Sequence, residues 1–554
     1  MALVNNNDET SLHIIPLDVI EDRAEDEVIL PPWGLKLFML NAGVVVVCFL
    51  HALDTVIPVH LQTVMGDQLG YAEALPWISA GMGAFALALP IGKLYVIGNK
   101  RAVFIFCYIN YLCGVAICGG TPTMTGAIVG RVWAAIGSTG MRIGLFYLVE
   151  GVMPRGNRSV YQIASVFSWA VAFALGSFIG MLGSSWRWAF YTQLIVSIGV
   201  LPPMIMRLPP GPARTAVNEH LDTVGTMFSS VPIVLFTIAS VYAGIVDHWM
   251  GPTVVLLFTI GGILTLAFML QQVSDIFATA QERHLNVSQL RNREPALRFA
   301  LVGLSTVVAW IVIFYYPFYL YAIRGGSPTE TARDLLTFVI ALIVALISMG
   351  VIHHKPGYYR CLYIFAVAVG VIGCVFMSLP LFVSPPHSKP RLTDRIQGRM
   401  GAEDSKAGVY ACGLMLGVTA GCIIHAGLAA YQPESDPGGV TPSISMKLLS
   451  HLAGSWFGAC VGGAIYMTTA KAGLRALFPD LSAEARDSLV LGTAGHFLAD
   501  LGPTDRKLAL ELLAGGLKKV WYPAMVASGL SVVLAMLVQV CLLARLVVEG
   551  DVVG

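Results

Sequence analysis

Charge is scarce in this chain. Of its 554 residues only 12% are Asp, Glu, Lys or Arg, against about 25% in soluble proteins, while 56% are hydrophobic. Such a chain cannot cover itself with polar surface, and its mean hydropathy of +0.73 fits a molecule whose solvent is mostly lipid. The formal net charge is only +1. No concentrated basic face is available to engage phosphates, so nucleic acid is excluded as a partner. No C-x-x-C pair occurs among the ten cysteines, which sit inside apolar blocks. They read as small buried side chains rather than a disulfide framework or a zinc site. A Walker loop, a Gly-rich nucleotide-binding βαβ unit and a clustered His, Cys and Asp site are missing as well. The chain is therefore expected not to be an enzyme, to need no cofactor or metal, and to power any transport from an ion gradient.

What the chain does have is apolar blocks. A bilayer core needs about 20 mainly apolar residues per helix, and fourteen such blocks follow one another between residues 35 and 546. They are uniformly apolar rather than alternating, which specifies an all-α membrane bundle and not a barrel. Among them are 35–63, 76–98, 125–149, 160–183, 298–322, 407–430, 447–469 and 520–546. An even count puts both ends of the chain on one side. Through the first eight spans one side holds Lys100, Arg101, Arg155, Arg158, Arg207, Arg214, Arg283, Arg291, Arg293 and Arg298, against little beyond Arg187 on the other. The basic side is cytoplasmic, so both termini are expected there. The loop after span 11 is assigned outside despite Lys389, Arg391, Arg395, Arg399 and Lys406, because early segments dominate topology. The sequons at Asn157 and Asn286 fall on the cytoplasmic side and should stay unglycosylated. Residues 1–34 carry eight acidic residues against Arg23 alone, a solvated, disordered tail with no signal peptide. Residues 470–519 mix charges of both signs with Pro479 and Pro503 and read as an extracellular loop with amphipathic helical pieces.

Ionisable groups inside spans are expensive and usually face the bundle interior or a water cavity. Asp54 lies roughly 7 to 8 Å outward of the middle of span 1, and Arg131 roughly 9 Å outward in span 4, so the two can meet at one depth. Arg131, Ala135, Ser138 and Arg142 share one face of span 4, with small residues between two cations. The set reads either as a protonatable carboxylate biased by an arginine beside a solute path, or as a static ion pair locking spans 1 and 4. His51 and His60 in span 1 and His425 in span 12 are weaker candidates for a proton relay, since a lone histidine in a helix is more often a hydrogen-bonded packing residue, and His425 is the better of them. Gly413, Gly417 and Gly421 lead to His425 at four-residue steps, and Gly454, Gly458 and Gly462 repeat the stripe in span 13, as close-packing seams. The run Tyr315, Tyr316, Phe318, Tyr319 and Tyr321 around Pro317 suits either stacking of a planar ligand or anchoring at the outer interface.

The residues resemble a known family, the fourteen-span drug:proton antiporters of the major facilitator superfamily, in their fungal toxin-efflux branch. Gly92-Lys93-Leu94-Tyr95 through Asn99, Arg101 and Val103-Phe104 is similar to that branch's cytoplasmic loop motif. Gly130-Arg131 with Gly137 and Gly140 resembles the span 4 motif, and Leu53-Asp54 the span 1 motif with its membrane carboxylate. Trp186-Arg187-Trp188-Ala189-Phe190-Tyr191, Asp222 with Gly225, and Tyr316-Pro317 with Gly325-Ser327-Pro328-Thr329 are also similar. The departures are Val96 in place of the loop motif's acidic residue, Pro58 in the span 1 motif, and Gly176-Ser177 with Gly180-Met181 where the span 5 motif has a Gly-Pro bend and paired glycines. Without that proline the helix keeps a backbone hydrogen bond and bends less.

The resemblance implies a major facilitator fold: a six-helix bundle over 35–206, a linker with two extra transmembrane helices over 207–297, a second six-helix bundle over 298–546 that includes the loop 470–519, and a short cytoplasmic tail over 547–554. It implies proton-driven export of a small lipophilic organic compound, such as a fungal secondary metabolite or toxin, by a monomer in the lipid bilayer of the plasma or vacuolar membrane. Asp54, Arg131, Arg142 and His425 are then the proton-coupling candidates. Gly92, Lys93, Asn99, Arg101, Gly176 and Gly180 belong to the gating motifs, and Ser138, Trp169, Tyr316 and Tyr319 line the expected cavity. Two other readings stay open, uptake of a siderophore-iron chelate and a transport-inactive sensor or scaffold.

Overall fold

The computed structural model describes residues 35–69, 86–152, 167–169, 171–172, 175, 186–206, 222–246, 249–274, 292–323, 328–352, 356–379, 404–429, 440–491 and 503–550. Every regular element among them is helical. They are α1 (Leu35–Leu69), α2 (Ala88–Ile97), α3 (Lys100–Gly120), α4 (Met124–Val152), α5 (Arg187–Ile205), α6 (Thr223–Val246), α7 (Pro252–Val273), α8 (Arg293–Phe318), α9 (Pro328–Ile352), α10 (Pro356–Ser378), α11 (Asp404–Ala429), α12 (Val440–Leu477), α13 (Ala483–Leu491) and α14 (Pro503–Gly550). In lipid a backbone amide finds no water, and helices satisfy their amides within the segment.

The ends of these helices are written in the sequence. Four of them open on proline, Pro252, Pro328, Pro356 and Pro503, where the missing N–H would have had no helical partner. The Asn99 side chain accepts from the Arg101 and Ala102 amides at 3.0 and 3.2 Å, capping α3. Asp222 does the same for α6, its carboxylate accepting from Gly225 N at 2.6 Å and from the Gln271 amide of α7 at 2.7 Å. Pro317, near the end of α8, leads into a π-helical turn at Tyr319–Ile323.

Among the described residues nine helices are long and apolar enough to cross a membrane, with shorter apolar stretches at Ala42–Ile57 and Ala88–Ile97. Blocks 76–98 and 160–183 lie partly or largely outside the described residues. The helices at blocks 125–149 and 447–469, α4 and α12, are not among the nine, because α4 carries two arginines and α12 a polar series including His451, Ser455 and Lys471. Of the stretch 470–519, α12 runs on to Leu477, α13 follows, and α14 begins at Pro503. A buried ion pair, Lys471 Nζ to Asp487 Oδ1 at 2.7 Å, fixes α13 to the end of α12.

Two halves are visible. In the first, α4 packs against α1, α2 and α3, and α5 against α1 and α3; in the second, α8 packs against α11, α12 and α14, with α9 and α10 outside. The pair α6 and α7 lies alongside, packed on each other, with α6 leaning on α12 through Trp456 Nε1 to Thr237 Oγ1 at 2.9 Å. Few of α7's side chains are buried, so its sides are left to lipid. The halves meet where α1 faces α8 and where α2 and α4 face α12.

Packing within each half depends on glycine. A Cβ at Gly137 of α4 would stand 2.3 Å from the Tyr111 amide nitrogen of α3, so the two backbones touch. The stripe of α11 sits on α9, where a Cβ at Gly417 would meet Phe338 O at 2.4 Å, and that of α12 sits on α8, where Gly454 faces Gly303 O at 2.3 Å. Both stripes are packing seams, as their spacing suggests.

Candidate functional site

At the centre of the first half, Arg131 of α4 reaches Asp54 of α1. Its Nη1 donates to Asp54 Oδ1 at 2.5 Å and its Nη2 to the Asp54 main-chain oxygen at 2.8 Å. Ser138 Oγ, two turns along α4, donates to Asp54 Oδ2 at 2.8 Å. Asp54 is 2% exposed and Arg131 4%, so this is a dry, fully paired carboxylate. The altered position Pro58 explains the second of Arg131's bonds. A helical Asp54 carbonyl would normally accept the N–H of residue 58, and proline has none to give. The guanidinium takes the place of that donor.

About one turn beyond Ser138, on the same face, Arg142 lies between the halves. Nη1 points to His51 Nε2 of α1 at 3.1 Å and Nη2 to His451 Nε2 of α12 at 3.3 Å. Arginine only donates, so both imidazole nitrogens present lone pairs and both rings are neutral in this arrangement. His451 can then donate from Nδ1 to Thr306 Oγ1 of α8, 3.3 Å away, while Thr306 donates to Val302 O. Trp169 covers the group, 5.5 Å from the guanidinium and edge-on to His51 at 5.7 Å. Trp310 of α8 meets Trp169 at 5.8 Å and Phe314 at 5.4 Å. The cluster therefore draws on both halves.

The other candidates divide. Asn99 is an N-cap, and Arg101 stands half-buried beside it. Gly92 has the Tyr147 hydroxyl 3.6 Å from the place of a Cβ. Lys93 lies one step on in α2. Tyr316 and Tyr319 do not join the cluster. The Tyr316 hydroxyl donates to Val409 O of α11 at 3.1 Å and its ring packs on Phe338 of α9 at 5.4 Å, inside the second half. Tyr319 is buried in the π-helical turn. Gly176 and Gly180, and the side chains of His60, His425 and Glu150, lie outside the described residues. The motif at Trp186 to Tyr191 ties α5 to the end of α3: Arg187 Nη2 donates to Thr121 O at 3.0 Å, and Tyr191 to Gly119 O at 2.9 Å.

His451, Thr306 and Trp310 were not singled out from the sequence. The signal available was His451 itself, an imidazole inside a block apolar enough to be read as a span. Among the described residues no group of His, Cys, Asp and Glu could hold a metal ion.

No protein-family profile matches the chain. It is nonetheless 29% identical over 516 residues to the phomenoic acid biosynthesis cluster MFS-type transporter of Leptosphaeria maculans, spanning 90% of this chain and 81% of that one. It is 26% identical over 519 residues to the efflux pump patC of Aspergillus clavatus, 90% of each chain. Among solved structures it resembles a bacterial homologue of the human lysosomal transporter Spinster in an inward-facing, occupied conformation, with 14% identity, a TM-score of 0.53, and 92% of this chain matched to 98% of that one.

Proposed function

We propose that this chain, a major facilitator superfamily transporter related to the efflux pumps of fungal secondary metabolism, exports a small lipophilic organic compound against an inward flow of protons. The observation that carries the reading is the buried set of Asp54, Arg131 and Ser138. A structural pair would serve as well with one acceptor for one donor, but here both carboxylate oxygens and a main-chain carbonyl converge on groups of a single α4 face. Protonation of Asp54 removes the charge that holds Arg131, and α1 is then free to shift against α4. In the exporting cycle the proton enters from outside after cargo leaves, stays on Asp54 while the halves reorient, and departs to the cytoplasm as Arg131 returns. The self-paired α6 and α7, set beside both halves, support an arrangement of two six-helix bundles with an inserted pair, fourteen spans in all. We place the monomer in the plasma membrane with both termini cytoplasmic.

The test is Asp54→Asn, measured as surface abundance beside proton-dependent efflux. The asparagine keeps the side chain's shape but cannot carry the proton, so abundance should hold, gradient-driven efflux should stop and cargo binding should remain measurable. Normal abundance with normal efflux removes Asp54 from the mechanism. Loss of the protein from the membrane would mark the pair as structural, since breaking a buried pair costs about 3 to 5 kcal/mol.

A further inference from the structure

We propose that Arg142 is the head-group site for an anionic cargo, a monocarboxylate on an apolar, partly aromatic body. This names the cargo class of the export reading above and rests on it. The contrast between the two arginines of α4 is the starting point. Arg131 is neutralised by Asp54. Arg142 is equally buried, 8% exposed, yet among the described residues no carboxylate comes within ion-pair distance of it. Its hydrogen bonds go to two imidazole lone pairs, which carry no charge. A guanidinium does not shed its proton, so a full positive charge sits in the membrane interior with only dipoles among its described neighbours, a costly state that marks functional positions.

A second observation points the same way. With Nε2 accepting from Arg142, the remaining proton of His51 is on Nδ1, and that buried atom has no hydrogen-bond partner. One cluster thus holds an uncompensated cation and an unsatisfied donor, and both are answered by an acceptor bearing negative charge. A carboxylate suits the planar fork of the guanidinium, taking two parallel N–H bonds. Aromatic side chains beside the cluster suit the rest of such a molecule. Trp169, with Trp310 and Phe314, presents aromatic surface from both halves, where the alternating-access scheme puts cargo. In the arrangement seen here the imidazoles stand in for the ligand. Cargo arriving from one side would displace His451 from Nη2 and so release the link between α4 and α12.

The experiment uses the full chain in lipid nanodiscs, with 2-naphthoate and methyl 2-naphthoate as probes that share a body and differ in charge. Binding is read by tryptophan quenching and by the shift in melting temperature. The acid should bind at least tenfold more tightly than the ester. Arg142→Gln should abolish that preference while leaving ester binding in place, which also reports that the variant is folded. Arg142→Lys should keep a reduced preference, since the charge stays and the fork is lost. Equal binding of acid and ester by the unaltered protein overturns the proposal, as does a preference that survives Arg142→Gln. Should Arg142→Gln fail to accumulate, an Arg142→Lys variant with the full preference overturns it. Export of neutral compounds by cells, with no acid preference in nanodiscs, would leave the export reading standing and remove only the cargo class.

Discussion

Both oxygens of the Asp54 carboxylate are engaged, one by Arg131 and one by Ser138, and the two bonds differ in what their loss would do. Removing the arginine leaves a bare buried anion. Removing the serine hydroxyl leaves the ion pair and takes away one bond to a charged group, about 1.5 to 3 kcal/mol. Ser138→Ala should therefore reach the membrane in normal amount and melt a few degrees lower in detergent than the unaltered protein. An unchanged melting temperature would mean that the Ser138 bond to Oδ2 contributes nothing to holding α1 on α4. The Asp54 and Arg131 pairing is legible in the sequence because it needs only helix rise and span direction. Depth in the bilayer is a one-dimensional coordinate, and two residues at one depth on facing helices can meet. The link from Arg142 to His451 joins positions 309 residues apart and depends on how α12 is rotated about its axis. Sequence periodicity leaves that rotation open in a helix whose polar residues are spread around it. The same ambiguity holds for Tyr316, where an aromatic run beside a proline suits a cavity wall as well as the packing seam it occupies.

Helix ends in this protein follow from single residues, while the distances between helices follow from missing side chains. Opening prolines, the Asn99 cap and the Asp222 cap mark starts that the sequence shows directly. The backbone contact of α3 with α4 at Gly137 shows only once the partner is known. Gly137→Val would drive methyl groups into the α3 main chain at Tyr111, where no flexible side chain can yield, and overpacking costs about 1 to 3 kcal/mol even in adaptable cores. The variant should be retained and degraded before reaching the surface. Gly120→Ala is the matched control, since nothing lies within 4 Å of its would-be Cβ. Equal surface levels of the two variants would show that α3 and α4 can separate without harm. The end of α12 with α13 shows what composition leaves out of such a stretch. Its mixed charges suggest exposure, but Lys471 and Asp487 cancel each other in a buried pair, and the Tyr466 hydroxyl donates to Val490 O at 2.7 Å. Neither pairing changes the composition from which exposure is judged.

For the whole molecule, the early basic loops predict an orientation, and the position of α13 offers the check. A reporter fused after Arg214 and another at the C-terminus should both report cytoplasm, while an epitope beside Glu484 should be labelled on intact cells. Cytoplasmic labelling of the Glu484 site would sink the fourteen-span arrangement. Among the described residues the two halves meet where α1 faces α8, where α2 and α4 face α12 and where Trp169 touches Trp310, and at that seam a permanently charged group of one half is gripped by an imidazole of the other. In the proposed exchange, an empty carrier that turns back without cargo wastes energy, because the next protonated turn then brings a proton inward with nothing carried out. Closed on itself by neutral imidazoles, the vacant carrier of that proposal has a resting state it must be drawn out of, so a cell could hold many idle copies in its membrane without short-circuiting the gradient proposed to drive them.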